Sequence, residues 1–369
     1  MSEVLARLRV REAHGIRRFL YPLSAAVRLP QTLKMGESKT SAEMYGGFAL
    51  QTLDGHDVPR QITSTRDAFD ARLDFALSLA PGETSEVLVV TGPPVETVPD
   101  PLQVTPTLDG GVKNTQQRFT VVINPEGGIS EVVYDGVRAL RGPGRILRNE
   151  EAAWHSSTTA WNSDPSYLLY SQLRAKSRYK DGGFAQTQAA LTACKSWVTV
   201  THTLEQPKPA DEVVFTLPLA VTSPTLTCDF GAGGGVYGKL QAGSAPEVVW
   251  RSEFGEAPHA RWSVATAGRE DYVGQVETAD AFRPQQWFHL IDSDKALAVA
   301  VTQVPAGCRA MTVRLTHEGD VSVAFRLGDA AGPATFGVCY HFLNDVPALA
   351  AATNPQSILL PPVVEVLPA

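Results

Sequence analysis

The chain holds 369 residues, with 39 acidic against 32 basic side chains and a formal net charge of −7. An acidic balance with no evident basic stripe argues against a nucleic-acid surface, which needs a cationic face to displace phosphate counterions. Hydrophobic residues at 43% and charged ones at 19% are ordinary for a globular protein, and no apolar run nears the ~20 residues that span a bilayer.

This length predicts two domains, three at most, each with ample core. The 30 Gly and 26 Pro are spread along the chain and punctuate many short elements. The cysteines, Cys194, Cys228, Cys308 and Cys339, show no CxxC spacing, which argues for buried free thiols rather than structural zinc. The start, MSEVLARLRVREAHG, has no apolar leader core, so a cytoplasmic protein is expected.

Residues 4–10 and 19–29 alternate apolar with polar side chains, as half-buried strands do. Residues 45–53 lead through Asp54-Gly55, a hairpin turn, into residues 58–62, and residues 69–79 turn at Pro81-Gly82 into residues 85–90. Six or seven strands in so short a stretch predict a small β-sandwich over residues 1–95. Repeated prolines across residues 93–112 read as a linker without ladder pairing, and the domain boundary is placed there.

A meander follows. Phe119-Thr-Val-Val-Ile123 meets the breaker cluster Asn124-Pro-Glu-Gly-Gly128, then Ile129-Ser-Glu-Val-Val-Tyr134, then the Asp135-Gly136 turn. Residues 149–170 are polar and carry Trp154, His155 and Trp161; they read as a long loop over a sheet face, where function tends to sit. Strands resume at residues 168–179, 185–191, 196–204, 212–221, 225–230 and 236–240, and again at 248–254, 261–266, 286–291, 295–304, 311–315, 321–327 and 335–342. A large antiparallel domain over residues 113–350 is expected, with one short helix at 346–353 and a tail, 351–369, packing on the sheet as an edge strand.

The meander with NPEGGI and its DG turn, the Trp/His stretch, WVTVTHTLE, CDFGAGGGVYG and WFHLIDSDKALAVAV together resemble the galactose mutarotase-like supersandwich. That fold occurs in aldose epimerases, in polysaccharide lyases and behind the catalytic domains of several glycoside hydrolases. Residues 12–23, with Val58-Pro-Arg-Gln61 and Leu79-Ala-Pro-Gly82, are similar to the β-domain preceding such sandwiches in large lyases and α-mannosidase-like enzymes. The resemblance covers most of the chain. It departs from the lyases in encoding no helical barrel, and from the epimerases in offering no clear His/His/Glu set. It implies an all-β chain, a small N-terminal β-sandwich followed by a galactose mutarotase-like supersandwich, and a carbohydrate ligand.

A sugar site needs aromatic rings for C–H faces and charged groups for hydroxyls. Trp197 and Trp287 lie in alternating runs and read as core. Trp154 and Trp161, and Trp250, Arg251, His259, Arg261 and Trp262, are the substrate-binding candidates. The acid–base candidates are His155, His202, Glu253 and Tyr179, since such chemistry needs two ionisable groups within reach of one substrate. No metal or cofactor is expected. The glycine run 231–235 lacks the Lys-Ser/Thr of a phosphate loop, and the acidic pairs Asp292/Asp294 and Glu318/Asp320 read as β-turns. Three functions follow: an acid–base enzyme on a sugar, glycoside or uronide; a non-catalytic glycan-binding or assembly module serving a separate catalytic chain; or a structural β-protein that builds a homo-oligomer.

Overall fold

The computed structural model describes residues 2–30, 44–64, 70–93, 98, 101–116, 118–161, 169–220, 226–232, 236–243, 247–254, 259–266, 269–277, 286–292, 295–316, 318–329, 332–343 and 356–368. Side chains at 64, 155–161, 226–243, 248, 254, 259–296, 343 and 356 lie outside that description.

Six strands open the chain: β1 (Val4–Arg11), β2 (Arg18–Arg28), β3 (Phe48–Thr52), β4 (Arg60–Ser64), β5 (Asp70–Leu79) and β6 (Thr84–Thr91). A small meander follows: β7 (Gln103–Pro106), β8 (Val112–Thr115), β9 (Phe119–Ile123), β10 (Ile129–Tyr134) and β11 (Val137–Arg138). Next come β12 (Arg145–Arg148), β13 (Glu151–Ala152), β14 (Trp154–Trp161), β15 (Tyr170–Arg178), β16 (Phe184–Thr192), β17 (Trp197–Leu204) and β18 (Glu212–Pro218). The last stretch holds β19 (Leu226–Ala232), β20 (Val236–Gly243), β21 (Glu247–Phe254), β22 (His259–Thr266) and β23 (Arg269–Glu277). It continues with β24 (Gln286–Asp292), β25 (Lys295–Gln303), β26 (Cys308–Thr316), β27 (Asp320–Leu327) and β28 (Ala334–Leu343). A one-turn helix, α1 (Gln356–Leu359), precedes β29 (Val363–Leu367).

The chain is all-β and its described ladders are antiparallel. An N-terminal lobe faces a four-stranded sheet, β29-β1-β6-β3, onto a three-stranded one, β2-β5-β4. Leu8, Val10, Leu73, Phe75, Val87 and Val89 fill the space between them. The tail closes this lobe by pairing β29 with β1. Arg18 clasps it there: its guanidinium donates to the Ser357 carbonyl at 2.7 Å and the Leu360 carbonyl at 2.5 Å, while Glu12 balances its charge at 3.1 Å with both side chains fully buried.

The larger body faces an eight-stranded sheet, β13-β12-β18-β27-β26-β21-β22-β23, onto a nine-stranded one, β14-β15-β16-β17-β28-β25-β24-β19-β20. Strict alternation drives this packing. In β17, Val198, Val200, His202 and Leu204 are buried while Thr199, Thr201 and Thr203 are half-exposed. Val198, Val200, Phe215, Val313, Phe325 and Phe336 share one core, each large side chain contributing about 1.5–3 kcal/mol by leaving water. The meander sheet, β11-β10-β9-β8-β7, closes the same core through Val121, Ile123 and Phe119, whose ring lies 5.9 Å from that of Phe342. The other face of the nine-stranded sheet receives the N-terminal lobe: Trp197 meets Tyr21 edge-on at 5.9 Å, and Ala300 and Cys339 join that lobe's core. Gln61 ties the two bodies, its side-chain carbonyl accepting from the amides of Leu169 at 3.0 Å and Tyr170 at 2.9 Å.

Several readings change. The proline-rich stretch does pair: β7 lies within it, with Pro106 opposite Val112. Proline is tolerated because β7 is an edge strand and one of its edges needs no donor. Residues 154–161, read as loop, form strand β14 at the edge of the nine-stranded sheet, with register shifts at 155/157 and 158/160. Such bulges blur the alternation by which a strand is recognised. Strand β23 lies where no strand is expected from the sequence. The helix expected at 346–353 lies outside the described residues. Cys308 and Cys339 are buried free thiols, both pushed up to about 12 by burial.

Candidate functional site

The site grows from the breaker cluster between β9 and β10. The Asn124 amide donates to the Gly128 carbonyl at 2.8 Å, and the Gly128 amide donates to Asn124 Oδ1 at 2.7 Å. Gly127 takes φ +86°, and a Cβ there would lie 2.5 Å from Thr187 Cγ2. Glycine is therefore required twice over, for its backbone and for close approach to β16. Between this turn, the start of β12 and the strands β15–β17 lies a cleft of about 240 Å³. Glu126 and Arg145 stand exposed among its lining residues; Ser177, Thr187 and His202 form its floor, each 1% exposed.

The floor is polar but occupied. His202 Nδ1 meets Thr187 Oγ1 at 2.8 Å, and its Nε2 meets the Tyr179 hydroxyl at 3.1 Å. Burial, helped by the positive charge of Arg148, pulls His202 down to about 4. The ring is thus neutral near pH 7, with one nitrogen donating and the other accepting. Burial pushes the Tyr179 phenol above its ordinary value, so it too stays neutral. Arg148 lies over the Tyr179 ring at 5.2 Å and pairs with Asp211 at 2.8 Å and Asp181 at 3.2 Å, its side chain only 4% exposed. Hydrogen bonding from Lys208, then from the Gly183 amide, holds Asp181 down to about 2. Ser177 Oγ has no hydrogen-bond partner among the described residues and remains a polar handle at the floor.

The predicted residues scatter. Tyr179 and His202 come together. Glu253 and Arg251 are exposed on β21, alternating with buried Trp250 and Ser252. They therefore face away from the core that His202 faces, so Glu253 and His202 do not converge. Trp250 was expected to bind substrate, but its side chain is 2% exposed and packs in the core, where no ligand ring can stack on it. Trp154 is 64% exposed and is not among the residues lining the cleft. In register, His155 stands opposite Ser177, Trp161 opposite Leu173, Arg261 opposite Glu253, Trp262 opposite Ser252 and His259 opposite Glu277. The side chains of His155, Trp161, His259, Arg261 and Trp262 lie outside the described residues.

Sequence reasoning missed Ser177, Thr187, Arg148, Asp211, Glu126 and Arg145. The signal was available for two of them. Ser177 and Thr187 fall on the inward parity of their strands, between Ala175 and Tyr179 and between Ala185 and Ala189, where alternation calls for apolar side chains. Among the described residues no group of three or more His, Cys, Asp or Glu is placed to hold a metal, and no helix is long and apolar enough to cross a membrane.

No protein-family model and no curated protein matches the sequence. Solved structures do. A protein in the glycosyl hydrolase family 38 from Enterococcus faecalis superposes on 98% of this chain and 47% of its own, with 8% identity and a TM-score of 0.57. An alpha-mannosidase from Enterococcus faecalis V583 superposes on 98% of this chain and 46% of its own, with 11% identity and a TM-score of 0.57. The galactose 1-epimerase from Lactobacillus acidophilus NCFM aligns more loosely, over 64% of this chain and 94% of its own, with 10% identity and a TM-score of 0.38. The chain spans about half the length of the two Enterococcus faecalis structures. At the level of fold, the small sandwich followed by a large one agrees with the resemblance drawn from the sequence.

Proposed function

We propose that the chain is the β-sandwich half of a sugar-processing protein, a glycan-facing module whose bond-breaking groups are supplied by a catalytic partner. One observation carries this reading: the titratable side chain at the floor of the cleft, His202, has both ring nitrogens bonded and is held neutral. General acid–base catalysis needs two groups free to exchange protons with one substrate, and Glu253 stands on another face. The cleft can still bind. Glu126 and Arg145 offer charged hydrogen-bonding groups to sugar hydroxyls, and Ser177 offers a hydroxyl at the floor. One structural neighbour is an alpha-mannosidase, which favours a neutral hexoside as the ligand. The second reading, an acid–base enzyme in its own right, is favoured by the Tyr179–His202 contact, which could relay a proton to the cleft.

Calorimetric titration of the chain with a mannobiose, beside an aryl α-mannoside turnover assay, separates the two. Binding without turnover, weakened about tenfold by Glu126→Ala or Arg145→Ala, is the expected result. Turnover by the chain alone that is lost in Tyr179→Phe, with the melting temperature intact, would establish the second reading instead.

A further inference from the structure

Strand β15 faces the cleft with one set of side chains and solvent with the other. On the solvent side Arg174, Lys176 and Arg178 alternate along the strand, all exposed. This row was invisible as a stripe because buried Ala175 and Ser177 separate its members. Its neighbour β16 sets Phe184, Gln186 and Gln188 directly opposite Arg178, Lys176 and Arg174. Beyond them β17 sets Thr203 and Thr201 opposite Gln186 and Gln188. Paired residues on adjacent antiparallel strands share a face, so a row of cations, a row of amides and a row of hydroxyls lie side by side.

Two exposed aromatic rings bracket the end of this surface. Trp154 is opposite Arg178 on β14 and is 64% exposed; Phe184 is opposite Arg178 on β16 and is 45% exposed. The Arg178 guanidinium lies 4.6 Å from the centre of the Phe184 ring. The two aromatics sit two strands apart, about 10 Å, with the guanidinium between them. The N-terminal lobe packs on the opposite end of the same sheet face, at Trp197 and Cys339, while Arg174, Lys176 and Arg178 at this end are exposed.

We infer that the outer face of β14–β17 is a second carbohydrate site, distinct from the cleft, and that it takes an acidic glycan bearing carboxylate or sulfate groups. Charge complementarity chooses the occupant: three cations along one strand, on a chain whose net charge is −7, form a local anion-binding row. Guanidinium groups bind carboxylate and sulfate oxygens through charge-assisted hydrogen bonds. The glutamines and threonines match ring hydroxyls, and Trp154 and Phe184 offer apolar faces to sugar C–H groups. A polynucleotide could use the cations and the rings as well, and the oligothymidylate arm of the test below separates it from an acidic glycan.

Calorimetric titration of the intact chain with tetragalacturonate, with mannotetraose as the neutral control and an oligothymidylate as the nucleic-acid control, tests this. Tetragalacturonate should bind, and more weakly as salt rises. Neutralising the row together, Arg174→Gln, Lys176→Gln and Arg178→Gln, should cut its affinity at least about tenfold with no change in melting temperature. Trp154→Ala should weaken binding several-fold while leaving its salt dependence. Arg145→Ala, in the cleft, should leave it unchanged, so failure here and failure of the cleft reading are separable. Binding that survives the triple substitution, that falls with Arg145→Ala instead, that is matched by mannotetraose, that is exceeded by the oligothymidylate, or that is absent overturns the inference.

Discussion

The two faces of β15 differ by one residue in sequence and by nearly everything in physical chemistry. On the inner face Ser177 joins Thr187, His202 and Tyr179 beneath a tight turn, where each polar group is 3% exposed or less. There burial suppresses ionisation, which is why His202 is held neutral, and Thr187 and Tyr179 both bond His202 while Ser177 Oγ has no partner among the described residues. On the outer face Arg174, Lys176 and Arg178 are exposed, where solvent screening makes each charge contribute little to folding. The inner trio is buried and bonded to itself; the outer row is exposed on the surface of the sheet.

Four experiments would break or sharpen that contrast. The largest effect belongs to Arg148, whose pairing with Asp211 is buried on both sides, at 4% and 2% exposure. Arg148→Ala leaves that carboxylate uncompensated and should cost about 3–5 kcal/mol in chemical denaturation. A loss near zero would mean that water reaches the pair and that the inner face is not closed.

The next effect is a pH dependence. The folded-state value of His202 lies at about 4, below its ordinary 6.5, so the unfolded chain takes up this proton first. Its contribution to stability is therefore full above pH 6.5, falls as the pH drops towards 4, and is flat below that. The loss from this group should be about 3 kcal/mol. Denaturation midpoints followed across that window, in the native chain and in His202→Gln, isolate it: the variant should lack this component of the slope.

Gly127→Ala comes third. A positive φ strains any Cβ, and this one meets Thr187 at 2.5 Å. About 1–3 kcal/mol should be lost, and because Thr187 bonds His202 the cleft should lose ligand with it. A thermal melt beside a binding titration checks both. Smallest is Lys176→Gln on the outer face, expected to move stability by less than about 0.5 kcal/mol. A larger loss would show that this lysine belongs to the fold rather than to a surface.

Much of the fold was legible. The alternation in β1, β17 and β27 is close to strict, because each has one face on a core and one towards water, and period two survives in the sequence. Strand β14 was not legible, because two register shifts break its alternation and an edge position tolerates Ser and Thr. Of the site, the Asn124-Pro-Glu-Gly-Gly128 turn, His202 and the ionisable phenol of Tyr179 are legible in the sequence. Their partners did not stand out. Thr187 lies 15 positions from His202 and Tyr179 lies 23, and only the pairing of β15 to β16 and β16 to β17 brings the three together.

What the sequence determined by itself is local: which runs form strands, where glycine and proline turn them, and that the chain is all-β. Those properties depend on φ/ψ preference and on the period of apolar side chains, both written within a few residues. What only the tertiary structure decided is parity and partnership. Glu253 and His202 fall on surfaces that never meet, the tail returns to β1 rather than to the larger sheets, and three basic residues spaced by two become one row. Each depends on which strands pair and in what register, and that choice is made by long-range burial, which no short stretch of sequence contains.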